Sequence, residues 1–206
     1  YSGQTGALLR RHDGQVGANI SLGEAMAMIG DLDLDGASEY LLGDQFFYGG
    51  GVGRGAAWIH SGRTGALLWQ AEGEKPDIRY GCAVAGLGDI NGDHGPDFAV
   101  GASREQRNGA TNRRGTVAVY SGAEFMLLQR LPGDDAGITS TFEFGAAVAG
   151  AGDTNLDGLN DLVVGAPASS PQPHGDHGRA LLYRFDSWLR TSAATVATLQ
   201  GATWQV

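Results

Sequence analysis

Short apolar runs along the chain alternate with clusters of Gly, Asp, Asn and Pro. The run 82–87 contains only small and apolar residues, which is typical of a strand buried on both faces. Further apolar runs at 98–101, 116–120 and 125–131 are each bounded by turn-forming residues. The pattern predicts four short strands joined by tight turns.

The same four-strand pattern occurs three times, at a spacing of roughly 60 residues. The most similar segments of the three copies are 22–44, 80–103 and 144–167. A repeated four-stranded unit predicts an all-β fold built from β-propeller blades, whereas a β-sandwich would not explain the repeat. We therefore expect a terminal strand of a preceding blade, followed by three blades, with the boundaries 1–21, 22–79, 80–143 and 144–206.

The first residues of the chain resemble the end of a repeat, because residues 1–9 match residues 61–68. The chain is therefore expected to begin inside a fourth unit. A closed propeller needs about four to eight blades, which is more than three copies supply. Two explanations remain open: the chain is a fragment of a longer protein, or copies associate to complete the blades.

An acidic loop lies between the first and second strands of each copy. Its oxygen-bearing side chains stand at positions 1, 3, 5 and 9, and they are Asp31, Asp33, Asp35 and Glu39, then Asp89, Asn91, Asp93 and Asp97, then Asp153, Asn155, Asp157 and Asp161. Position 7 would add a backbone carbonyl, from Ala37, Gly95 and Leu159 respectively. A shell of six to eight oxygens suits Ca²⁺ better than Mg²⁺ or Zn²⁺, so the loops predict about three calcium ions.

Two other interpretations of these loops are weaker. An EF-hand needs a bidentate Glu at position 12, where this chain has Leu42, Val100 and Val164. Simple Asx turns would explain one loop, but three loops in register favour a cation, because crowded carboxylates repel one another.

These residues resemble the FG-GAP repeat of integrin α-subunit propellers and their bacterial relatives. In the third copy, Phe144-Gly145 precedes the acidic loop and Gly165-Ala166-Pro167 follows it. The first copy departs furthest, with Leu22-Gly23 and with Glu39 at position 9. His94 replaces the loop Gly of the second copy, and the following Gly95 is expected to take the left-handed turn.

The resemblance implies a seven-bladed ring outside the cell or at the cell surface, with calcium on one face and protein ligands on the other. We expect the second set of loops, at 45–54, 104–114 and 168–178, to lie on the face opposite the acidic loops. Candidate contact residues there are Phe46, Phe47, Tyr48, Arg104, Arg107, Arg113 and Arg114.

Composition narrows the possible partners. A formal net charge of −9 argues against nucleic acid and anionic membrane surfaces, and no apolar run is long enough to insert into a membrane. Asn19 lies in an acceptor pattern for N-glycosylation, and whether it carries a glycan stays open. No nucleophile elbow, phosphate-binding loop or His-Glu-x-x-His run is present, so we expect no enzymatic activity in these residues.

Three functional hypotheses follow from the sequence. The first is a calcium-stabilised module for protein binding or cell-surface adhesion. The second is a structural protein that assembles with copies of itself into a homo-oligomer, filament or surface coat. The third is the ancillary propeller of a secreted hydrolase, whose catalytic part lies elsewhere.

Overall fold

A computed structural model of the protein describes residues 2–14, 21–106, 114–133, 143–167, 178–185 and 202–203. Strands, turns and loops account for all of these residues, and they include no helix. The described part of the chain accordingly has no helix that could span a membrane. Asn19, Arg107, Arg113 and most of the expected loop 168–178 lie outside the described residues.

The described residues form three four-stranded antiparallel sheets, and a two-stranded hairpin follows the second strand of the first sheet. Blade 1 contains β1 (Ala25–Gly30), β2 (Glu39–Asp44), β5 (Ala56–His60) and β6 (Leu67–Glu72), and its hairpin contains β3 (Tyr48–Gly49) and β4 (Val52–Gly53). Blade 2 contains β7 (Tyr80–Gly88), β8 (Asp97–Ala102), β9 (Thr116–Tyr120) and β10 (Leu127–Pro132). Blade 3 contains β11 (Ala147–Gly152), β12 (Asp161–Ala166), β13 (Arg179–Tyr183) and β14 (Ala202–Thr203).

The predicted all-β fold of four-stranded propeller blades is confirmed, and the described sheets do not close into a ring. The four strands expected in the second copy all form, with ends that shift by at most a few residues. The boundaries proposed between the repeats stay a prediction.

The blades stack through two apolar cores. The first core lies between blades 1 and 2 and includes Ile29, Leu41 and Ile59 from blade 1 with Phe98 and Val100 from blade 2. The second lies between blades 2 and 3, and its main members are Ala85, Ala99, Val117, Val119, Leu162, Val164 and Leu181. Blade 2 is thus covered on both sides, which explains why every residue of β8 and β9 is buried.

Glycines permit close contacts between the backbones of successive blades. A Cβ atom on Gly43 would lie 2.2 Å from the carbonyl oxygen of Gly81, and a Cβ on Gly101 would lie 2.1 Å from that of Gly145. Both contacts join equivalent positions of successive blades. A side chain at these positions would therefore push two backbones apart.

The N-terminal segment contains a turn of the same type as the turn that joins β5 to β6 in blade 1. Ser2 donates its N–H to the carbonyl of Ala7 at 2.8 Å, as Ser61 does to Ala66 at 2.9 Å. His12 then lies against blade 1, with its Nε2 2.7 Å from the hydroxyl of Tyr40. Residues 2–14 contain this turn and no strand, and the assignment of 1–21 to a preceding blade stays a prediction.

Candidate metal centre

A bulge at the end of the inner strand positions each acidic loop. The pairing of β1 with β2 shifts register between Met28 and Gly30, so that Gly30 faces Glu39. The same shift sets Gly88 opposite Asp97 and Gly152 opposite Asp161. In all three cases the carboxylate at position 9 begins the second strand and is fully buried under the loop.

The first loop is held by hydrogen bonds from its own backbone. The Asp31 carboxylate accepts the N–H groups of Asp35 at 3.0 Å and Gly36 at 2.9 Å. Glu39 accepts the N–H of Leu32 through Oε2 and that of Gly62 through Oε1, the latter at 3.3 Å. These bonds turn the carboxylates toward one point inside the loop.

The four acidic side chains of the first loop converge. One oxygen from each of Asp31, Asp33, Asp35 and Glu39 lies within 4.8 Å of the others. Oxygens bound to one Ca²⁺ at about 2.4 Å can be no more than about 4.8 Å apart, so this spacing matches a single cation. Within the described residues, no other group of three or more His, Cys, Asp and Glu side chains meets this spacing.

Arg63 is a neighbour of this site that the sequence analysis did not identify. Its Nε lies 3.3 Å from Asp35 Oδ2, and its Nη2 donates to the backbone carbonyl of Asp35. The repeated Ser-Gly pair at 61–62 and 121–122 is the sequence signal for the supporting turn. This turn brings the N–H of Gly62, and that of Gly122 in blade 2, to the buried carboxylate at position 9.

The second loop has the same design with a smaller acidic set. Asp97 accepts the N–H of Ile90 at 2.9 Å and that of Gly122 at 3.1 Å. Burial, with a smaller contribution from the nearby Asp93 and Asp89, raises the pKa of the Asp97 carboxyl to about 7 despite these two donors. A cation in the loop would favour the charged form of Asp97.

The third loop contains an unsatisfied buried oxygen. Asp161 is fully buried, and its Oδ2 accepts from the N–H of Thr154 at 2.9 Å. Its Oδ1 has no hydrogen-bond partner among the described residues. The Ser-Gly pair that supplies this partner in the other blades is replaced in blade 3 by Arg184-Phe185.

The expectation for the left-handed turn of the second loop is wrong. His94 itself adopts a φ of 69°, and Gly95 is not among the residues with positive φ. Position 6 is equally left-handed in the other loops, with a φ of 89° at Gly36 and 87° at Gly158. The loop geometry therefore sets the backbone of position 6 whatever residue occupies it, and His94 accepts the strain.

Two leucines at the tips of the first and third loops have a left-handed, strained backbone. Leu34 has a φ of 57° and Leu156 a φ of 62°, and their side chains are 86% and 90% exposed. Gly92 occupies the equivalent position of the second loop with a φ of 76°. The exposed leucines make few contacts that could offset the cost of a left-handed backbone.

We expect Leu34→Gly to stabilise the protein by about 1 kcal/mol, because relief of the left-handed strain exceeds the entropic cost of glycine. The matched reverse change, Gly92→Leu, should destabilise it by a similar amount. Chemical denaturation of both variants measures the two effects. A loss of stability in Leu34→Gly would show that the leucine makes a contact worth more than the strain.

The loops expected to contact a protein ligand are only partly described. The hairpin β3–β4 lies at the end of blade 1 opposite the acidic loop, since antiparallel strands reverse direction. Tyr48 is 52% exposed there, whereas Phe47 packs edge-on against Trp58 with the ring centres 5.1 Å apart. Phe46 lies under the guanidinium of Arg79 at 5.5 Å. Tyr48 is therefore the most available aromatic of the three.

Comparisons with known proteins give a match to one family model and several proteins that are similar in sequence to this chain. Residues 144–183 match the family model of the FG-GAP repeat. Integrin alpha-X of Mus musculus is 34% identical over 177 residues, which cover 79% of this chain and 13% of that protein. Phosphatidylinositol-glycan-specific phospholipase D of Rattus norvegicus is 35% identical over 136 residues, which cover 66% of this chain and 15% of that protein. The chain thus spans a small part of the length of these curated relatives.

Proposed function

This chain is an FG-GAP repeat protein, similar to integrin α chains over most of its length, and on that premise we propose that it is a calcium-stabilised, extracellular module that binds protein. Its role is adhesion at or near a cell surface, without catalysis in these residues. The convergence of the four carboxylates in the first acidic loop is the observation that carries the calcium assignment.

The chemistry of the first loop supports calcium over other cations. All four converging groups are carboxylates, and Ca²⁺ prefers oxygen ligands in a flexible shell. The carbonyl of Ala37 and water would complete the coordination. Zn²⁺ would favour His or Cys, and Mg²⁺ retains most of its water.

The third loop adds independent support. An unpaired buried carboxylate oxygen costs about 1–3 kcal/mol, and more when charged, unless a partner is supplied. Oδ1 of Asp161 is such an atom, and a cation held by Asp153, Asn155 and Asp157 would supply the partner. We assign one calcium ion to each of the three loops, with the second held by Asp89, Asn91, Asp93, Gly95 and Asp97.

Protein binding is assigned to the end of the blades opposite the acidic loops. The exposed Tyr48 lies there on a short hairpin, and aromatic side chains commonly anchor protein interfaces. The turn of this hairpin contains Gly50 and Gly51, both with positive φ, which fix its direction.

We expect Tyr48→Ala to weaken ligand capture by about tenfold or more, because loss of an anchoring aromatic typically removes over 1 kcal/mol of binding energy. Immobilised protein is exposed to an extracellular protein extract in calcium, and the bound protein is quantified. Leu8→Ala is the matched control, since Leu8 is 56% exposed on the N-terminal segment. Equal loss in both variants, or no loss in either, would contradict binding at the hairpin.

A second candidate function is that of an ancillary propeller in a secreted hydrolase. The similarity to a phospholipase D over 66% of this chain favours it. Hydrolysis of a phospholipid by the isolated chain would overturn the non-catalytic assignment, whereas activity confined to flanking residues would support the ancillary role.

A further inference from the structure

Hydrogen bonds between the blades join the second and third acidic loops directly. Asn160 of the third loop donates its backbone N–H to the carbonyl oxygen of Asp89 at 3.1 Å. Its side-chain Nδ2 donates to the carbonyl oxygen of Leu87 at 3.0 Å. One residue of blade 3 thus binds the backbone of blade 2 at two points, just before the second loop and at its first residue.

The space for the Asn160 side chain exists because residue 88 is glycine. A Cβ on Gly88 would lie 2.1 Å from Nδ2 of Asn160. Gly88 has a φ of 68° and faces Asp97 across the bulge that ends the inner strand of blade 2. Asn160 therefore contacts the same bulge that positions the second acidic loop.

Both ends of this link lie next to residues assigned to calcium. In blade 3, Asn160 stands at position 8 of its loop, between Leu159 at position 7 and the buried Asp161 at position 9. In blade 2, Asp89 stands at position 1, and backbone N–H groups of its own loop hold its carboxylate. A change in the order of either loop therefore reaches the other loop through Asn160.

The equivalent link cannot form between the first and second loops. Position 8 of the second loop is Pro96, which has no N–H and no donor in its side chain. Pro96 packs on blade 1 instead, where a Cβ on Gly30 would lie 2.9 Å from the Cβ of Pro96. Hydrogen bonds are directional, so the two bonds of Asn160 restrain the neighbouring loop more strictly than this apolar contact does.

We propose that Asn160 couples the second and third calcium sites, so that calcium in either site raises the affinity of the other. The proposal rests on the calcium assignment made above. When the third loop is loaded, the backbone on both sides of Asn160 is fixed, and its hydrogen bonds hold Leu87 and Asp89 in place. Ordering of the second loop then costs less conformational entropy. Coupling is reciprocal, and we expect a factor of about five in each direction.

Native mass spectrometry of the 206-residue chain, titrated with calcium, tests the coupling. Every protein in the experiment carries Asp31→Asn, which removes the first site. Addition of Asp153→Asn leaves the second site alone, and addition of Asp89→Asn leaves the third site alone. The overall constant for binding two ions, divided by the product of the two single-site constants, gives the coupling factor, which is unity for independent sites.

Two substitutions of Asn160 then separate its hydrogen bonds. Asn160→Pro removes both donors, and Pro96 shows that this position of the loop accepts proline. Asn160→Ala removes only the side-chain donor. The coupling factor should fall to unity in Asn160→Pro and to an intermediate value in Asn160→Ala. Ser38→Ala is the matched control, because Ser38 is the exposed residue at position 8 of the first loop, and it should leave the factor unchanged.

The possible failures are distinguishable. A chain that binds no calcium would reject the calcium assignment and the coupling with it. Two ions that bind with a factor of unity before Asn160 is changed would leave both sites in place and overturn the coupling. A factor that stays the same in both Asn160 variants would overturn the role of Asn160. A cooperative unfolding transition in chelator confirms that each variant is folded, and Asn160→Ala decides the outcome if Asn160→Pro does not fold.

Discussion

Gly101→Ala should lower the free energy of unfolding by about 3 kcal/mol, near the upper end of the effects of overpacking a core. The new Cβ would lie 2.1 Å from the carbonyl oxygen of Gly145, which belongs to the backbone of blade 3. A backbone atom cannot rotate away, so blades 2 and 3 must separate along their inner strands. This separation would also loosen the second apolar core, including Val117 and Val164.

The matched control is Gly165→Ala, the same change at the equivalent position of blade 3. Neither glycine has a positive φ, so backbone strain does not contribute to the difference. The nearest described atom to a Cβ at Gly165 would be the Cβ of Ala147, at 3.2 Å, and the expected loss is below about 1 kcal/mol. Urea denaturation at low micromolar concentration, followed by tryptophan fluorescence, compares both variants. Equal losses would show that the contact between the blades does not limit stability.

Calcium should raise the melting temperature strongly. A ligand that binds only the folded state at 100 times its Kd adds about 2.7 kcal/mol per site, which corresponds to roughly 5–10 °C for a chain of this size. Part of this gain comes from relief of repulsion among the converging carboxylates of the first loop. Thermal unfolding with calcium, with chelator and with magnesium measures the effect.

Two variants with the same change of charge locate the ion in the first loop. Asp31→Asn should release it, because the Asp31 carboxylate both faces the site and holds the N–H groups of Asp35 and Gly36. Asp33→Asn should retain it, since Asn91 and Asn155 occupy that position in the other loops. Native mass spectrometry counts the ions, with about three expected on the wild-type chain and one fewer on Asp31→Asn.

Two outcomes would contradict the calcium assignment in whole or in part. A wild-type chain without bound calcium, and without a change in melting temperature on chelation, would leave the loops as Asx turns that only support the backbone. An equal response to magnesium at the same concentration would leave a cation site but remove its selectivity for calcium.

Strand positions and turn chemistry were available from local pattern alone. The apolar run 82–87 lies inside β7, and the run 116–120 coincides with β9. The acidic loops could also be identified from the sequence, because Asp and Asn at alternate positions form hydrogen bonds to nearby N–H groups independently of the rest of the fold. Repetition then identified the unit as a blade, since no single copy could bury its apolar faces alone.

Contacts between distant residues decided the rest. Local pattern does not show that the Gly62 N–H reaches Glu39, or that Asp161 has no equivalent donor among the described residues, because such partners come from different strands. The bulge and loop around His94 place the left-handed conformation at this residue. The sequence alone had favoured Gly95 for that conformation. The repeat predicted similar blades, but only their stacking determined which faces are covered. Burial depends on neighbours in space. Val84 is buried because residues of blade 1, distant in sequence, pack on it, whereas Met26 has no such neighbour among the described residues.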